Sequence, residues 1–234
     1  MDAGSRVLIT GVDTRLGAAV REHFAAGGAA TFGTYAAPGY VPEPEGPPET
    51  YARPGDVDHA RDAVERAVAA MGGIDAVVLA HGLPSVAPLT ELAMTDFWQH
   101  VDSALTGSFL FAQAAATWMR DNGSGGRMVL TTSRWHIGGS GLSAVAAAAG
   151  GVVALTKTLT RDLGRFGVGV NAVAVGGLDS EWSICDAAAG PPPTGRAGSV
   201  QQVARVIGLL CRPQLGAAVG QIVNVDGGLS RNRV

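Results

Sequence analysis

The feature that most constrains the fold is the regular alternation of short apolar segments with longer amphipathic ones. Residues 6–10 (RVLIT) have a strand pattern, residues 11–17 (GVDTRLG) form a glycine turn, and residues 18–28 have the pattern of a helix that ends on glycines. Further strand patterns lie at 30–35, 50–53, 74–80, 126–132, 167–175 and 221–225. This alternation predicts one α/β domain over residues 1–234, with a doubly wound parallel sheet of about seven strands and helices on both faces.

Two segments interrupt the alternation. Residues 36–50 are rich in proline, which prevents the helix of a regular crossover, so we predict a surface loop in its place. Residues 178–198 are punctuated by proline and glycine, and they follow a strand at the edge where α/β proteins bind ligands. We predict that residues 178–198 form a mobile lid over a substrate site, and we call this segment the lid.

The balance of charges excludes some classes of partner. The chain of 234 residues has 17 basic and 20 acidic side chains, so it has no basic field for nucleic acid or for an anionic membrane surface. Cys185 and Cys211 are too few for a disulfide framework, and the first residues lack a signal-peptide pattern. We therefore predict a cytoplasmic protein whose partner is a small molecule.

A run without formal charge extends from residue 137 to residue 156, and its length would nominally span a bilayer. Its glycine, alanine and serine residues contribute little transfer free energy, and it lies between two predicted strands of one sheet. We predict a buried helix there, suited to close helix–helix approach. No pair of side chains has metal-ligand spacing, so no metal site is predicted.

The distribution of tyrosine and lysine restricts the chemistry. The chain has a single lysine, Lys157, and its three tyrosines, Tyr35, Tyr40 and Tyr51, lie in the first quarter of the sequence. A mechanism that needs a tyrosine and a lysine late in the chain is therefore excluded.

A series of short motifs resembles the short-chain dehydrogenase/reductase family over essentially the whole chain. In order they are TGVDTRLG from residue 10, GDV from 55, LAHG from 79, GVVALTKTLTRDLGRFGVGVNAVAVG from 151, GRAGS from 195 and GQIVNVDGG from 220. Each motif is weak alone, but their order and spacing indicate a shared Rossmann-like fold. The resemblance also implies a homo-oligomer, a dimer or tetramer, with contacts through helices near 96–119 and 142–163.

The resemblance implies binding of NAD or NADP, residue by residue. Gly11 and Gly17 match the outer glycines of the family pattern, and Arg15 replaces the middle one, where it would block the diphosphate or pair with it. The other matching positions are Asp56 at the adenine, Ala80 and Gly82 in the turn after the fourth strand, and Ser180 at the nicotinamide amide. Residues 34–37 offer no acid for a ribose hydroxyl, and a turn kept after the loss of cofactor binding is the alternative.

The family's catalytic groups are absent from the matching positions. In the family a tyrosine hydroxyl exchanges the substrate proton, and a lysine four residues later lowers the pKa of that tyrosine. The tyrosine, lysine and helper asparagine positions fall on Val145, Ala149 and Ala104. The family's serine falls on Thr132 or Ser133, with Ser133 preferred. Lys157 lies roughly 12 Å further along the same helix and cannot substitute.

Other polar side chains follow the strands at this edge of the predicted sheet. We predict His81, Ser133 and His136 as candidate catalytic residues, because histidine transfers protons near neutral pH and serine donates to an oxyanion. The alternative for His81 is a turn residue bonded to backbone. We also predict that Asp179 and Glu181 are solvated lid residues, and that Trp135 and Trp182 are either packing residues or apolar walls for a cyclic substrate.

Three hypotheses for function follow. The first is a divergent family member that lacks the tyrosine–lysine machinery for hydride transfer. It would use the crevice at the carboxyl ends of the strands for a non-redox reaction, such as dehydration, isomerisation or cyclisation, or for ligand binding. The second is an NAD(P)-dependent oxidoreductase with relocated catalytic groups, and the third is a non-catalytic subunit in a hetero-oligomer with an active member of the family.

Overall fold

Seven parallel strands form the central sheet in a computed structural model that describes residues 4–187 and 189–230. The strands are β1 (Arg6–Thr10), β2 (Ala30–Tyr35), β3 (Glu49–Tyr51), β4 (Ala76–Leu79), β5 (Gly126–Ser133), β6 (Val168–Val175) and, after the short strands β7 (Leu178–Asp179) and β8 (Gly198–Ser199), β9 (Ile222–Val225). Their order across the sheet is β3-β2-β1-β4-β5-β6-β9. The predicted doubly wound α/β fold is confirmed, with the change of direction between β1 and β4.

The described residues form six α-helices, and five of these cover the two faces of the sheet. The six helices are α1 (Arg15–Ala26), α2 (Val57–Met71), α3 (Met94–Val101), α4 (Gly107–Asn122), α5 (Ser143–Leu163) and α6 (Val200–Leu210). The apolar faces of α1 and α6 share one core, whereas α2, α4 and α5 share the core on the other side. All of β6 is buried, as expected for a central strand that is covered on both faces.

Residues 36–48 contain no helix, and β3 begins at Glu49, inside the predicted loop. Side chains hold this segment on the sheet. The buried carboxylate of Glu49 forms an ion pair with Arg21 of α1 and accepts a hydrogen bond from Tyr40 Oη at 3.3 Å. The ring of Tyr40 also packs on Tyr35, with 4.9 Å between centroids.

The lid is more regular than predicted. Its first residues form β7, which pairs in parallel with β8 at the other end of the segment. A 3₁₀ helix covers Glu181–Asp186 between the two strands. The first half of the lid is therefore a folded unit that can place side chains at defined positions.

The predicted helix near residues 96–119 is divided into three pieces. A π-helical turn at Asp102–Thr106 separates α3 from α4, and Ala104 lies inside it. A Cβ added to Gly82 would lie 3.4 Å from the Cβ of Ala104, so the turn after β4 packs directly on the π turn. Such turns are frequent at functional sites, because they change the direction of side chains within a helix.

The charge-free run lies in α5. This helix, taken to Phe166, is long and apolar enough to cross a membrane by length and composition alone. In the structure one face of it is buried on the sheet, through Ala144, Val145, Ala148, Ala149, Val152 and Thr156. The small side chains on this face let the helix approach the strands closely, as expected for a packed core helix.

Candidate functional site

The glycine turn between β1 and α1 brings backbone segments into close contact. Gly11 has a φ of +73°, and a Cβ there would lie 2.7 Å from the Cα of His81. A Cβ on Gly17 would lie 2.0 Å from the carbonyl oxygen of Gly11. Thr14 caps α1, because its Oγ1 accepts a hydrogen bond from the Gly17 N–H at 3.0 Å. Packing of the turn itself therefore requires both glycines.

We expect Gly17→Ala to lower the free energy of unfolding by about 1–3 kcal/mol, because the added methyl collides with backbone and not with a movable side chain. Urea unfolding followed by circular dichroism measures the change. Gly164→Ala is the matched control, since Gly164 has helical dihedral angles and no atom within 4 Å of a new Cβ. It should stabilise the chain by about 0.4–1 kcal/mol, and equal effects at the two sites would contradict the packing argument.

Arg15, the first residue of α1, is bound by the lid. Its backbone N–H donates to Glu181 Oε1 at 2.9 Å, and its Nη1 donates to Asp179 Oδ1 at 3.1 Å. The hydrogen bond from Arg15 lowers the pKa of the Asp179 carboxyl below its usual value. The prediction of a solvated acid is confirmed for Asp179, whose side chain is 78% exposed although it pairs with Arg15, and it is wrong for Glu181, which binds the end of α1 and has one buried oxygen.

Asp13, inside the glycine turn, binds two backbone N–H groups that follow β2. Its Oδ2 accepts hydrogen bonds from Ala36 at 2.9 Å and from Ala37 at 2.6 Å. The sequence analysis missed this residue, although its position within the turn motif was an available signal. Residues 34–37 contain no acid, but the glycine turn places the Asp13 carboxylate at the end of β2.

Asp56 and Ser180, which the resemblance places at the cofactor, both cap helices. Asp56 Oδ1 accepts from the backbone N–H groups of Asp58 and His59, and its Oδ2 accepts from Arg53 at 2.8 Å. The bond from Arg53 is the main reason why the pKa of Asp56 lies below its usual value. Ser180 is buried, and its Oγ accepts from the Trp182 N–H at 3.2 Å.

A cavity of about 760 Å³ lies at the carboxyl ends of β1, β2 and β4. Of the predicted site residues, Gly11, His81 and Gly82 line it. Its other polar and aromatic side chains include Asp13, Tyr35, Tyr51, Arg53, His100 and Asp102. The sequence analysis did not single out His100, which is buried and bonded through Nδ1 to the carbonyl of Leu83 at 2.9 Å. Burial lowers the pKa of His100.

His81 is bonded to the side chain of Thr10, and the backbone of Ser103 also interacts with its ring. Its Nδ1 lies 2.5 Å from Thr10 Oγ1. The Ala80 N–H donates to the same oxygen at 3.1 Å, so the Thr10 hydroxyl joins β1 to the turn after β4. Burial lowers the pKa of His81 to about 4, so the ring is neutral at pH 7. Within the described residues, its buried Nε2 has no hydrogen-bond partner.

The side chains of Ser133 and His136 form hydrogen bonds within the segment 133–136 and not with His81. Ser133 is 1% exposed, and its Oγ accepts from the Trp135 N–H at 3.2 Å, which caps the short helix Arg134–Ile137. His136 Nδ1 donates to the Ser133 carbonyl at 3.0 Å. Thr132, the other candidate for the family's serine position, donates to the carbonyl of Ala149 at 3.1 Å.

Val145 and Ala149 lie on the buried face of α5. Val145 is completely buried in a cluster with Leu142 and Cys185, and Trp135 and Trp182 pack against that cluster. Burial raises the pKa of the Cys185 thiol to about 12. The two tryptophans therefore serve as packing residues in this structure. The amine of Lys157 donates to the Gly220 carbonyl at 2.5 Å.

Asp186, at the end of the lid helix, connects the lid to the segment after β5. Its Oδ1 accepts from Arg134 Nε at 2.7 Å and from Trp135 Nε1 at 3.1 Å, and its Oδ2 accepts from the Gly177 N–H at 2.8 Å. The Arg134 guanidinium also lies 3.9 Å from the centre of a Trp135 ring. The sequence analysis missed Asp186, because nothing local distinguishes it from the solvated acids of a loop.

The end of α1 does not fit the diphosphate of a dinucleotide in this arrangement. Anions bind helix N-termini through free backbone N–H groups, but Glu181 already accepts from the first N–H of α1. A carboxylate at that point repels phosphate.

Within residues 4–187 and 189–230, no group of three or more His, Cys, Asp or Glu side chains could hold a metal ion.

Comparisons with known proteins identify relatives along the whole chain. A family model described as enoyl-(acyl carrier protein) reductase matches residues 3–230. An uncharacterised oxidoreductase of Mycobacterium tuberculosis is 33% identical over 75% of this chain and 70% of its own length. The 3-oxoacyl-(acyl-carrier-protein) reductase MabA of the same organism is 29% identical over 95% of this chain and 92% of its own length.

Two further relatives are subunits of one enzyme. BbsD and BbsC of the (2S)-((R)-hydroxy(phenyl)methyl)succinyl-CoA dehydrogenase of Thauera aromatica are 31% and 33% identical to this chain. They match 71% and 73% of this chain, and each match covers 69% of the subunit. A crystal structure of a Sinorhizobium meliloti dehydrogenase/reductase superposes with a TM-score of 0.84 at 28% identity, over 97% of this chain and 95% of that one. By family model, relatives and fold, this chain belongs to the short-chain dehydrogenase/reductase family.

Proposed function

We propose that this family member does not carry out the tyrosine- and lysine-dependent hydride transfer of its relatives. We also propose that it binds a small ligand in the cavity at the carboxyl ends of β1, β2 and β4. The observation that carries the proposal is the environment of residues 145 and 149. The resemblance places the family's tyrosine and lysine there, but both side chains are aliphatic and buried. No tyrosine lies late enough in the sequence to replace the first, and Lys157 lies roughly 12 Å further along the helix than residue 149.

The physical reason is the proton that accompanies the hydride. A carbonyl oxygen that receives a hydride also needs a proton, and a positioned acid contributes about 10²–10⁴-fold to such a step. A phenol with a usual pKa near 10 becomes a stronger acid for this step when a neighbouring cation lowers that pKa. Val145 has no exchangeable proton, and Cys185 beside it holds its proton too firmly because burial raises its pKa to about 12.

Ligand binding is better supported than a proton-transfer reaction by the state of the candidate catalytic side chains. Ser133 is 1% exposed, His136 Nδ1 donates to a backbone carbonyl, and His81, with a pKa of about 4, is a weak base at neutral pH. The 760 Å³ cavity, in contrast, presents the side chains of Tyr35 and Tyr51 to a ligand. Aromatic and polar linings of this size are typical of small-molecule sites.

Turnover measurements test the proposal. The purified chain is incubated with NADH or NADPH and a 3-oxoacyl thioester, with MabA of M. tuberculosis as the positive control under the same conditions. We expect MabA to consume the reduced nucleotide and this chain to consume none above the rate without protein. Turnover within tenfold of the MabA rate would overturn the proposal and favour an oxidoreductase with relocated catalytic groups.

A second candidate function is a non-catalytic subunit, and the Thauera relatives favour it. Their names show that one dehydrogenase contains two different chains similar to this one. The present chain also exposes large apolar side chains on α3 and α4, with Met94, Trp98 and Phe109 between 43% and 61% exposed. Exposed apolar groups on neighbouring helices are typical of a subunit interface.

Light scattering tests this second candidate. We expect a dimer or a larger oligomer for the chain alone or together with a co-expressed active family member. Trp98→Asp should lower the measured mass, because it places a charge on the apolar face. Val41→Asp is the matched control, since Val41 is 79% exposed in the proline-rich loop. A monomer that gains no mass with an active family member would contradict the hypothesis.

A further inference from the structure

The N-terminus of α1 is occupied by a carboxylate of this chain. Helix N-termini present free backbone N–H groups and the positive end of the helix dipole, so they attract anions. Here the Arg15 N–H donates to Glu181 Oε1 at 2.9 Å, across 166 residues of sequence. The Gly17 N–H is satisfied by Thr14 Oγ1 at 3.0 Å. Side chains of the protein thus take donors that a phosphate would use.

Glu181 is committed to this position by the structure around it. Its second oxygen, Oε2, is buried and has no hydrogen-bond partner within the described residues. A buried carboxylate oxygen without a partner is unfavourable, so the helix end must offset part of that cost. The pairing of β7 with β8, the cap from Ser180 and the ion pair of Asp179 with Arg15 hold the lid so that Glu181 faces α1.

A second carboxylate has a similar role on the cavity rim. Asp13 Oδ2 accepts from the Ala36 and Ala37 N–H groups directly after β2. The guanidinium of Arg53, which lines the cavity, is paired with Asp56, and that of Arg15, at the helix end, is paired with Asp179. The backbone donors at both points therefore face acidic side chains, and the cavity offers an incoming phosphate little compensating positive charge.

We infer that Glu181 is an internal anion that occupies the diphosphate position at the N-terminus of α1, so that the closed lid excludes phosphate-bearing ligands from the crevice. This inference deepens the ligand-binding function proposed above and rests on it for the use of the cavity. It assigns the ligand to a class without a diphosphate group. It also gives the lid a role, because release of Glu181 would expose the helix end.

Calorimetric titrations of the full chain with inorganic pyrophosphate and, separately, with NADH test the inference. Glu181→Gln keeps the size of the side chain and removes the charge. We expect it to raise the association constant for pyrophosphate about tenfold, the factor expected for a charge at a helix terminus. Glu181→Ala should do the same or more, because it also opens space. Circular dichroism verifies that each variant is folded.

Glu22→Gln is the matched control, because it makes the same change in net charge on the exposed side of α1, away from its N-terminus. It should change pyrophosphate affinity less than about twofold. A folded Glu181→Gln and a folded Glu181→Ala that both gain no affinity would overturn the inference. Binding of NADH to the natural chain as tightly as to Glu181→Gln, without turnover, would overturn it and leave the absence of hydride transfer standing. Turnover by the natural chain would overturn both.

Discussion

Asp186→Ala is expected to lower the free energy of unfolding by about 3–5 kcal/mol, the usual result of removing one partner from a buried ion pair. The side chains of Arg134 and Asp186 are only 8% and 11% exposed. Without the carboxylate, the guanidinium remains buried and uncompensated, and Trp135 Nε1 and the Gly177 N–H lose their acceptor. Urea unfolding at neutral pH measures the change.

A matched control separates burial from charge pairing itself. Asp121→Ala removes the partner of Arg120 at the same separation of 2.7 Å, but these two side chains are 49% and 57% exposed. Water and salt screen such a pair, so we expect a change of about 0–1 kcal/mol. Asp186→Asn should fall between the two, because the amide oxygen still accepts one of the hydrogen bonds. Similar losses for Asp186→Ala and Asp121→Ala would show that the lid contact contributes little to folding.

The second large effect is a loss of stability in acid that depends on His81. Burial lowers the pKa of His81 to about 4 in the folded chain, whereas the usual value of 6.5 applies when the chain is unfolded. Below pH 6.5 the unfolded chain binds a proton that the folded chain does not, so unfolding becomes more favourable. The contribution of His81 is complete above pH 6.5 and is lost as the pH falls toward 4, by about 3 kcal/mol in all.

His81→Ala tests this pH dependence. Urea unfolding at several values between pH 6.5 and 4 should show a smaller fall in stability for the variant than for the natural chain. His100, whose pKa is also lowered by burial, accounts for part of the fall that remains. Phe111→Leu is the control, because Phe111 packs on the His81 ring with 5.6 Å between centroids but does not titrate. It should lower stability equally at each pH, and an unchanged pH dependence in His81→Ala would refute the assignment.

The strands and helices could be predicted because their signals are local. Continuous apolar runs such as VGVNAVAV, and glycines at positions 11 and 17, depend on neighbouring residues and on the backbone of one turn. The π turn at Asp102–Thr106 was not predictable in this way, since the sequence there continues a helical pattern. Likewise, the first half of the lid reads as a loop, but β8 pairs with it from the other end of the segment.

The candidate site shows the same division between local and distant causes. His81 was found from its place after the fourth strand, but its lowered pKa comes from burial and its partner Thr10 lies 71 residues away. Glu181 and Asp186 read as ordinary acids of a surface loop. Their partners in α1 and after β5 lie 166 and 52 residues away, and only the folded backbone brings them together.

The sequence by itself determined the α/β architecture and which residue types are available at each position, because residue types and their spacing suffice for both. The presence of one lysine and of three tyrosines near the start of the chain does not depend on the fold. Only the tertiary structure decided that the acids of the lid are not free: Glu181 binds the end of α1 and Asp186 binds Arg134. The physical reason is that the energy of a charge depends on its burial and on the groups around it, which the folded chain alone establishes.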